Sequence, residues 1–237
     1  ITIAVDAMGG DNSPEKVVKG IILHSKKSKD CFYKIFGNVD EINKFIDTNI
    51  QKDVYEIVDT KEKIEGTDSP LTAAKKGKKT SMWLSIESVK KCESDIVISA
   101  GNTGALFVIA KLNLEMIDTI DKPALAGLWP NKNGINVVLD LGASIDCSEK
   151  NLVDFSSMGA ALHKALFPDE DQKVSILNIG SEEIKGHEII KKAYEILNLR
   201  NNNNFIFNGY IEGNELMDGN SNVIITDGFT GNVALKT

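Results

Sequence analysis

A short apolar run followed by Gly-x-Thr-Gly occurs twice in the chain, and this repeat limits the possible folds more than any other pattern. The first copy runs from Ile96 through Ser99 into a turn at 101–104, and the second runs from Val223 through Ile225 into a turn at 228–231. Short β-branched runs are typical of buried strands, and glycines end them. Each copy therefore predicts a strand, a tight turn and the start of a helix.

A turn of this kind is a place where an anion binds, because it presents backbone N–H groups, a hydroxyl and a helix N-terminus together. The alternative is that both copies are ordinary strand-to-helix turns, in which glycine supplies only its permitted backbone conformations. One copy by itself would favour the ordinary turn. Two copies of matched chemistry favour anion binding.

Apolar runs and amphipathic segments alternate along nearly the whole chain, which predicts an α/β fold with a doubly wound, mostly parallel, Rossmann-like sheet. The segment Asn131-Lys-Asn-Gly134 lies between two apolar runs and adds an antiparallel hairpin. Helix starts are predicted at Ser69-Pro70, Ser148 and Ser181. The helix that starts at Ser69 is predicted to run toward Lys91, with a bend or break near Gly77.

Composition excludes several classes of protein. The 27 basic and 34 acidic side chains give a formal net charge of −7, which argues against nucleic-acid binding. The apolar runs are too short for a transmembrane helix, and no signal peptide is visible at Ile1. The 3 cysteines and 3 histidines form no metal-binding motif, so neither a metal site nor a cofactor is predicted.

No convincing boundary interrupts the chain, which predicts a single domain over residues 1–237 with a short polar connector at 201–204. The chain does not begin with Met, so we expect that its first residue or residues were removed or not included. In open α/β sheets a ligand lies beyond the carboxyl ends of the strands. The polar or Gly-rich segments at such ends are predicted to form one site: 6–11, 99–104, 140–144, 178–186, 226–232 and, less clearly, 37–38.

Five of these segments form recognisable motifs: Asp6-Ala-Met-Gly-Gly-Asp11, Ser99-Ala-Gly-Asn-Thr-Gly-Ala105, Leu139-Asp-Leu-Gly-Ala143, Asn178-Ile-Gly-Ser-Glu-Glu-Ile-Lys-Gly186 and Thr226-Asp-Gly-Phe-Thr-Gly-Asn232. In order and spacing they closely resemble the bacterial phosphate acyltransferase family PlsX, and the resemblance runs from residue 1 to residue 237. Five motifs in the right order are a far more specific signal than one Gly-rich loop.

The resemblance implies an enzyme that moves an acyl group from acyl-carrier protein to inorganic phosphate. The product, acyl phosphate, feeds phospholipid synthesis. The resemblance also implies a homodimer with its site near the subunit interface, a cytoplasmic location, and peripheral contact with the inner membrane surface. The fold of the family is similar to that of the isopropylmalate dehydrogenases and phosphotransacetylases.

Three features depart from the family pattern. Ser144 stands where the family usually has Asn, and Lys75, Lys76 and Gly77 stand where Arg and Lys are usual. The chain stops at Thr237, where family members continue. We therefore expect the family's C-terminal helical portion, including an amphipathic pair of helices that touches the membrane, to be absent from this sequence.

Phosphate is itself a competent nucleophile toward a thioester, so the implied reaction needs no covalent acyl-enzyme. This agrees with the lack of a Gly-x-Ser-x-Gly elbow. Lys185 is predicted to hold phosphate or polarise the thioester carbonyl, and Asn232 is predicted to donate a hydrogen bond to the oxyanion. The alternative for Lys185 is a solvated lysine. A cation is electrostatically unfavourable in the first turn of a helix, which favours a functional role.

The remaining site residues fall into two groups. The predicted phosphate or substrate cradle consists of both turns and two positions that match the family: Ser99, Gly101, Asn102, Thr103, Gly104, Asp227, Gly228, Thr230, Gly231, Lys78 and Ser81. A second group is predicted to support the site, because a carboxylate that faced phosphate would repel it: Asp6, Gly9, Gly10, Asp11 and Asp140. His187 is assigned no catalytic role.

The lysine cluster at 75–79 is the densest basic patch in an acidic chain. It is predicted to dock the acidic carrier protein, and the alternative is a solvated helix face. Two other functions stay open: acyl transfer with coenzyme A, as in phosphotransacetylases, and a phosphate-ligand binding module without catalysis. A dehydrogenase is disfavoured, because no G-x-G-x-x-G follows the first strand.

Overall fold

The chain forms two compact units, Ile1–Glu115 and Met116–Thr237, in a computed structural model. The structure describes residues 1–46, 50–199 and 204–237, so residues 201–203 of the predicted connector lie outside it. Each unit contains its own sheet and its own buried cores. The single-domain interpretation stays a prediction.

The first unit is built on a four-stranded parallel sheet with the order β3-β2-β1-β4. Its strands are β1 (Thr2–Asp6), β2 (Phe32–Gly37), β3 (Tyr55–Asp59) and β4 (Ile96–Ser99). Its helices are α1 (Glu15–Lys27), α2 (Val39–Ile42), α3 (Pro70–Lys75), α4 (Ser81–Lys90) and α5 (Thr103–Leu114). The side chains of Ile3 and Val5 pack with α1, whereas α4 and α5 form a second core around Met82 and Ile109. Helices on two sides bury the sheet, as in a doubly wound fold.

The second unit is built on a five-stranded sheet with the order β5-β6-β9-β7-β8. Its strands are β5 (Gly127–Asn131), β6 (Gly134–Leu139), β7 (Lys173–Leu177), β8 (Ile206–Ile211) and β9 (Val223–Ile225). Its helices are α6 (Glu149–Leu166), α7 (Glu188–Leu199) and α8 (Gly228–Lys236). Only β5 and β6 pair antiparallel among these named strands, and all other pairs are parallel.

The predicted fold class is confirmed: a mixed α/β chain with mainly parallel sheets and one antiparallel hairpin. The predicted helix starts at Ser69 and Ser148 are also confirmed. The Ser69 hydroxyl accepts a hydrogen bond from the backbone N–H of Thr72 at 3.2 Å, and Ser148 forms a capping box with Asn151. The predicted break near Gly77 separates α3 from α4, and Gly77 has a φ of +102°.

The predicted helix start at Ser181 is wrong. Helix α7 begins only at Glu188, and residues 181–187 form an irregular segment. Gly186 adopts a φ of +94°, which lies in the left-handed region and interrupts a right-handed helix. Acidic residues after a serine are thus insufficient to start a helix when a left-handed glycine follows five residues after that serine.

No helix within residues 1–46, 50–199 and 204–237 combines the length and apolar character that a membrane span requires.

The second unit buries a histidine, which predicts a pH-dependent stability. The His163 side chain on α6 is 0% exposed and packs against Phe167, with ring centroids 4.9 Å apart. Its Nε2 lies 3.7 Å from the Glu170 carboxylate, beyond hydrogen-bond distance. Burial lowers the pKa of His163 from its ordinary value of 6.5.

Because the pKa of His163 is lowered in the folded state, the unfolded chain binds a proton at this histidine more readily than the folded protein does. The free energy of unfolding therefore decreases as pH falls from about 6.5 through the folded-state pKa. We expect His163→Phe to flatten the dependence of the urea midpoint on pH in this window. His187→Gln, at an exposed histidine, should leave the dependence as in the wild type. Equal dependence in wild type and His163→Phe would contradict this account.

Candidate functional site

In the first unit, the strand-end carboxylate of Asp6 organises the surrounding loops. Asp6 ends β1 beside Ser99 of β4, and its side chain is 1% exposed. Its carboxylate accepts hydrogen bonds from the Ser81 hydroxyl at 2.6 Å and the Ser99 hydroxyl at 2.7 Å, and from the Met8 N–H at 3.3 Å. Burial raises the pKa of Asp6, and the bonds from Ser81 and Ser99 oppose that rise. Both hydroxyl protons are therefore already donated, and a ligand would find only lone pairs on these two serines.

Two predicted loops of this unit pack directly on each other. A Cβ added to Gly9 would lie 2.9 Å from the backbone nitrogen of Gly101, and one added to Gly10 would lie 2.4 Å from the carbonyl oxygen of Ala100. Gly10 also has a φ of +88°. Segment 6–11 can come this close to segment 99–101 only because both glycines lack side chains.

The predicted turn at 101–104 is partly helical. Asn102 is the N-cap of α5, and its Oδ1 accepts a hydrogen bond from the Ala105 N–H at 3.0 Å. Its Nδ2 donates to the carbonyl oxygens of Gly66 at 2.9 Å and Asp68 at 3.2 Å. Thr103 is exposed at the first position of the helix. This helix N-terminus is therefore capped by a neutral amide and remains open to solvent at Thr103.

A polar cleft of about 290 Å³ lies beside this cap. Gly10, Asp11, Gly101 and Asn102 line it, together with Lys63 and Glu65, which form an ion pair at 3.4 Å. Predicted site residues from two loops thus meet at one cleft. Lys78 lies in the exposed turn between α3 and α4.

In the second unit, the buried carboxylate of Asp140 organises the surrounding backbone, as the carboxylate of Asp6 does in the first unit. Asp140 follows β6 and is 0% exposed. Its carboxylate accepts four backbone N–H bonds, from Leu125 at 2.9 Å, Gly142 at 3.2 Å, Ala143 at 2.9 Å and Ser144 at 2.7 Å. A buried carboxylate is stable only with such partners, so segment 140–144 is held in one conformation.

The start of α8 packs on this segment. The Gly228 N–H donates to the Ser144 carbonyl oxygen at 2.9 Å, and a Cβ added to Gly231 would lie 1.9 Å from the Asp140 carbonyl oxygen. The Asn232 Nδ2 donates to the Leu141 carbonyl oxygen at 3.1 Å. The Asp140 carboxylate thus holds backbone that α8 touches, and its supporting role in the site stays a prediction.

The prediction that 228–231 is a tight turn before the helix is wrong. Gly228, Thr230 and Gly231 lie in the first turn of α8, and Asn232 is its fifth residue. The reason is the N-cap: the Asp227 carboxylate accepts bonds from the Thr230 N–H at 2.8 Å and the Thr230 hydroxyl at 2.7 Å. Relative to the aligned motif, α8 therefore begins two residues earlier than α5.

The two helix N-termini consequently differ in charge. The α8 N-terminus already carries the Asp227 carboxylate, whereas the α5 N-terminus carries the neutral amide of Asn102. A helix N-terminus attracts anions, but a carboxylate at the cap repels a second one. Of the two predicted anion sites, the α5 N-terminus is the one without a carboxylate at its cap. Whether Thr103 and Thr230 serve one common site stays a prediction.

Asn178, which was not among the predicted site residues, shapes the segment that carries Lys185. Its Nδ2 donates to the carbonyl oxygens of Gly180 and Lys185, both at 3.1 Å. A Cβ on Gly186 would lie 2.2 Å from the Asn178 Oδ1, and this explains the glycine there. The sequence signal was the motif 178–186 itself, but nothing in it indicated a bond between Asn178 and Lys185.

Lys185 lies in this irregular segment and not in the first turn of a helix, so the electrostatic argument for its role does not apply. Its Nζ forms an ion pair with Glu182 at 2.8 Å, and the hydrogen bond to Glu182 raises the pKa of Lys185. Lys185 therefore stays charged at neutral pH. It can act as a cation, and it is a poor general base.

Two adjoining cavities of the second unit, of about 360 and 550 Å³, bring segment 178–187 and the start of α8 together. His187, Ile190, Asp227 and Thr230 line both. Among the residues that the structure describes, no group of three or more His, Cys, Asp or Glu side chains is placed to hold a metal ion.

Comparison with known proteins shows what the chain is related to. The model of a family described as "Fatty acid synthesis protein" matches residues 1–237. A phosphate acyltransferase of Pelagibacter ubique is 62% identical over 237 residues, which make up 100% of this chain and 71% of that protein. A phosphate acyltransferase of Parvibaculum lavamentivorans is 41% identical over 239 residues, with 100% of this chain and 66% of that protein covered.

The chain belongs to this family of phosphate acyltransferases. The resemblance stated from the motifs is thereby confirmed, and the family is one of acyltransferases. The two relatives named are longer than this chain, which covers 71% of the first and 66% of the second.

Two solved structures resemble this chain in fold at low sequence identity. The EutD phosphotransacetylase from Staphylococcus aureus matches with a TM-score of 0.68 and 13% identity, covering 100% of this chain and 80% of that one. A branched-chain phosphotransacylase from Enterococcus faecalis matches with a TM-score of 0.63 and 12% identity, covering 100% and 83%. At this identity the likeness concerns the fold alone.

The different caps of α5 and α8 predict different affinities for phosphate. Asn102→Asp places a carboxylate at the α5 N-terminus and should raise the Kd for phosphate by at least about fivefold, because like charges near 4 Å repel by about 1 kcal/mol even in water. The matched reverse change, Asp227→Asn, should not raise this Kd. Titration calorimetry with inorganic phosphate measures both, with far-UV circular dichroism as the control for folding. A lower Kd in Asp227→Asn, with no effect of Asn102→Asp, would assign the phosphate to α8.

Proposed function

We propose that the chain transfers a fatty acyl group from acyl-carrier protein to inorganic phosphate, giving acyl phosphate and the free carrier thiol. The relative named phosphate acyltransferase that is 62% identical over the whole chain supports this activity. Acyl phosphate is an activated acyl donor, and its use in phospholipid synthesis is part of the proposal.

The observation that carries the phosphate half is the neutral cap of α5. Phosphate binds at this helix N-terminus, where Thr103 is exposed to solvent. An oxygen of the phosphate attacks the thioester carbonyl carbon, a C–O bond forms, and the C–S bond breaks with release of the thiolate. Correct aim and charge stabilisation suffice for this step.

Lys185 and Asn232 act on the acyl half. The Lys185 ammonium polarises the thioester carbonyl, for which it must leave Glu182, and that exposed ion pair is weak. An amide NH₂ group has two donors, and Asn232 uses one of them on Leu141. The second donor stabilises the oxyanion. Lys185 acts by its charge and Asn232 by its hydrogen bond, and neither side chain transfers a proton.

The remaining proposals concern the partner and the location. Lys75, Lys78 and Lys79 are exposed around the end of α3, whereas Lys76 pairs with Asp68. This cluster docks the acidic carrier protein, so transfer weakens as salt is added. The protein acts as a homodimer in the cytoplasm, at the inner membrane surface. The alternatives use coenzyme A as the thiol partner or lack catalysis.

The activity itself is tested by incubating the protein with acylated carrier protein and phosphate and measuring acyl phosphate by mass spectrometry. We expect Lys185→Gln to lower kcat by about 10²–10³, as for the loss of an oxyanion donor. Lys191→Gln is the matched control, because Lys191 also pairs with a glutamate three residues away at 2.8 Å. It should keep wild-type turnover.

Two results would contradict the proposal in different ways. Equal turnover of Lys185→Gln and Lys191→Gln would remove Lys185 from the mechanism and leave the activity standing. Transfer from acyl-coenzyme A with none from acylated carrier protein would favour the coenzyme A alternative, and transfer from neither would favour a binding module.

A further inference from the structure

We propose that the larger cavity of the second unit binds the hydrocarbon chain of the acyl donor. This inference rests on the proposed function and adds the place where the chain lies. The cavity has a volume of about 550 Å³, within the range of small-molecule sites. Its apolar wall consists of Leu177, Ile179, Ile190, Leu216, Val233 and Ala234.

The lining of the cavity combines apolar and polar side chains, as an acyl thioester requires. Asn178, His187, Asp227 and Thr230 supply the polar lining. The Asn178 side chain is 6% exposed, and its Oδ1 has no hydrogen-bond partner among the described residues. A buried hydrogen-bond acceptor without a donor is unusual, and it marks a position where a donor is lacking.

The charge at this place favours an uncharged ligand. The Asp227 carboxylate caps α8 and lines the cavity, so a phosphate there would be repelled. A thioester and its hydrocarbon chain carry no charge and meet no such penalty. The cavity is therefore suited to the acyl half of the reaction, and the α5 N-terminus to the phosphate half.

Binding a hydrocarbon would also bury side chains that are otherwise in water. Ile179 is 79% exposed and Val233 is 52% exposed at the edge of this cavity. Each methylene that enters an apolar site contributes about 0.8 kcal/mol, which is about fourfold in affinity. A chain that lies along this wall should thus show a steep dependence of affinity on its length.

The first unit has a competing apolar groove of about 530 Å³, lined mainly by α1, β1 and β4. Ile96 and Ile98 of β4 are about half exposed there. Apart from Lys16, its polar side chains are already paired: Asp6 accepts from Ser81 and Ser99, and His24 bonds to the Tyr33 hydroxyl at 2.5 Å. This groove offers a hydrocarbon an apolar face, but it offers a thioester carbonyl no free partner among these groups.

Two glycines allow a matched test of the two cavities. Gly213 lines the cavity of the second unit and Gly20 lines the groove of the first. A Cβ added at either position meets no heavy atom within 4 Å, so a side chain can start at both positions without a clash at Cβ. Val233→Trp, at a half-exposed position of α8, is a second change in the cavity wall.

The experiment measures kcat/KM for carrier-linked acyl groups of about 4 to 16 carbons, over which a filled apolar site changes affinity about fourfold per methylene. We expect Gly213→Leu and Val233→Trp to lower kcat/KM for the longest chains at least about tenfold and to leave the shortest unchanged. Gly20→Leu should keep the wild-type profile. A shift caused by Gly20→Leu, or unchanged profiles in both cavity variants, would overturn the inference.

A second readout separates this inference from the proposed function. Displacement of a fluorescent fatty acyl ester, which carries no charge, measures chain binding without any transfer reaction. If wild type transfers no acyl group but Gly213→Leu weakens ester binding and Gly20→Leu does not, the proposed function fails and the cavity assignment stands. If wild type is active and all three variants bind the ester as the wild type does, the cavity assignment fails alone.

Discussion

A buried carboxylate at the end of a strand holds the functional loops of each unit. Asp140 satisfies its charge with four backbone N–H groups, and Asp6 does so chiefly with two serine hydroxyls. Removing a carboxylate from water costs several kcal/mol unless such partners replace the lost hydration. The loops therefore have little freedom to move away, and this fixes the backbone on which the helix N-termini α5 and α8 rest.

The two units share one arrangement of an aspartate loop and a strand–helix turn, with one chemical difference. In each, a strand-end aspartate loop packs on the glycines of a neighbouring strand–helix turn. The caps then diverge, because α5 has the neutral Asn102 and α8 has the anionic Asp227. A repeat in the sequence thus becomes two helix ends of unequal charge. That inequality is the physical basis for assigning phosphate to one and the uncharged acyl group to the other.

Local patterns predicted the fold class, the hairpin and the caps at Ser69 and Ser148, because strand periodicity and capping depend on residues close in sequence. The start of α8 was mispredicted, since the glycines suggested a loop while the Asp227 cap makes them helical. Lys185 was placed on a helix because the sequence did not show that Gly186 adopts a left-handed backbone conformation. At this position Asn178 lies so close to Gly186 that a side chain would not fit. The role of Asn178 and the unequal caps arise from contacts that sequence spacing does not report.

The central claim is that the Asp140 carboxylate holds segment 140–144 and, through it, the start of α8. Hydrogen–deuterium exchange of Asp140→Asn tests it directly, because an amide cannot accept four N–H bonds. The account predicts exchange at least about tenfold faster at Gly142, Ala143, Ser144 and Gly228, with β7 protected as in wild type. Asp154→Asn, at an ion-paired position of α6, should change none of these amides. Unchanged protection at all four amides in Asp140→Asn would contradict the account.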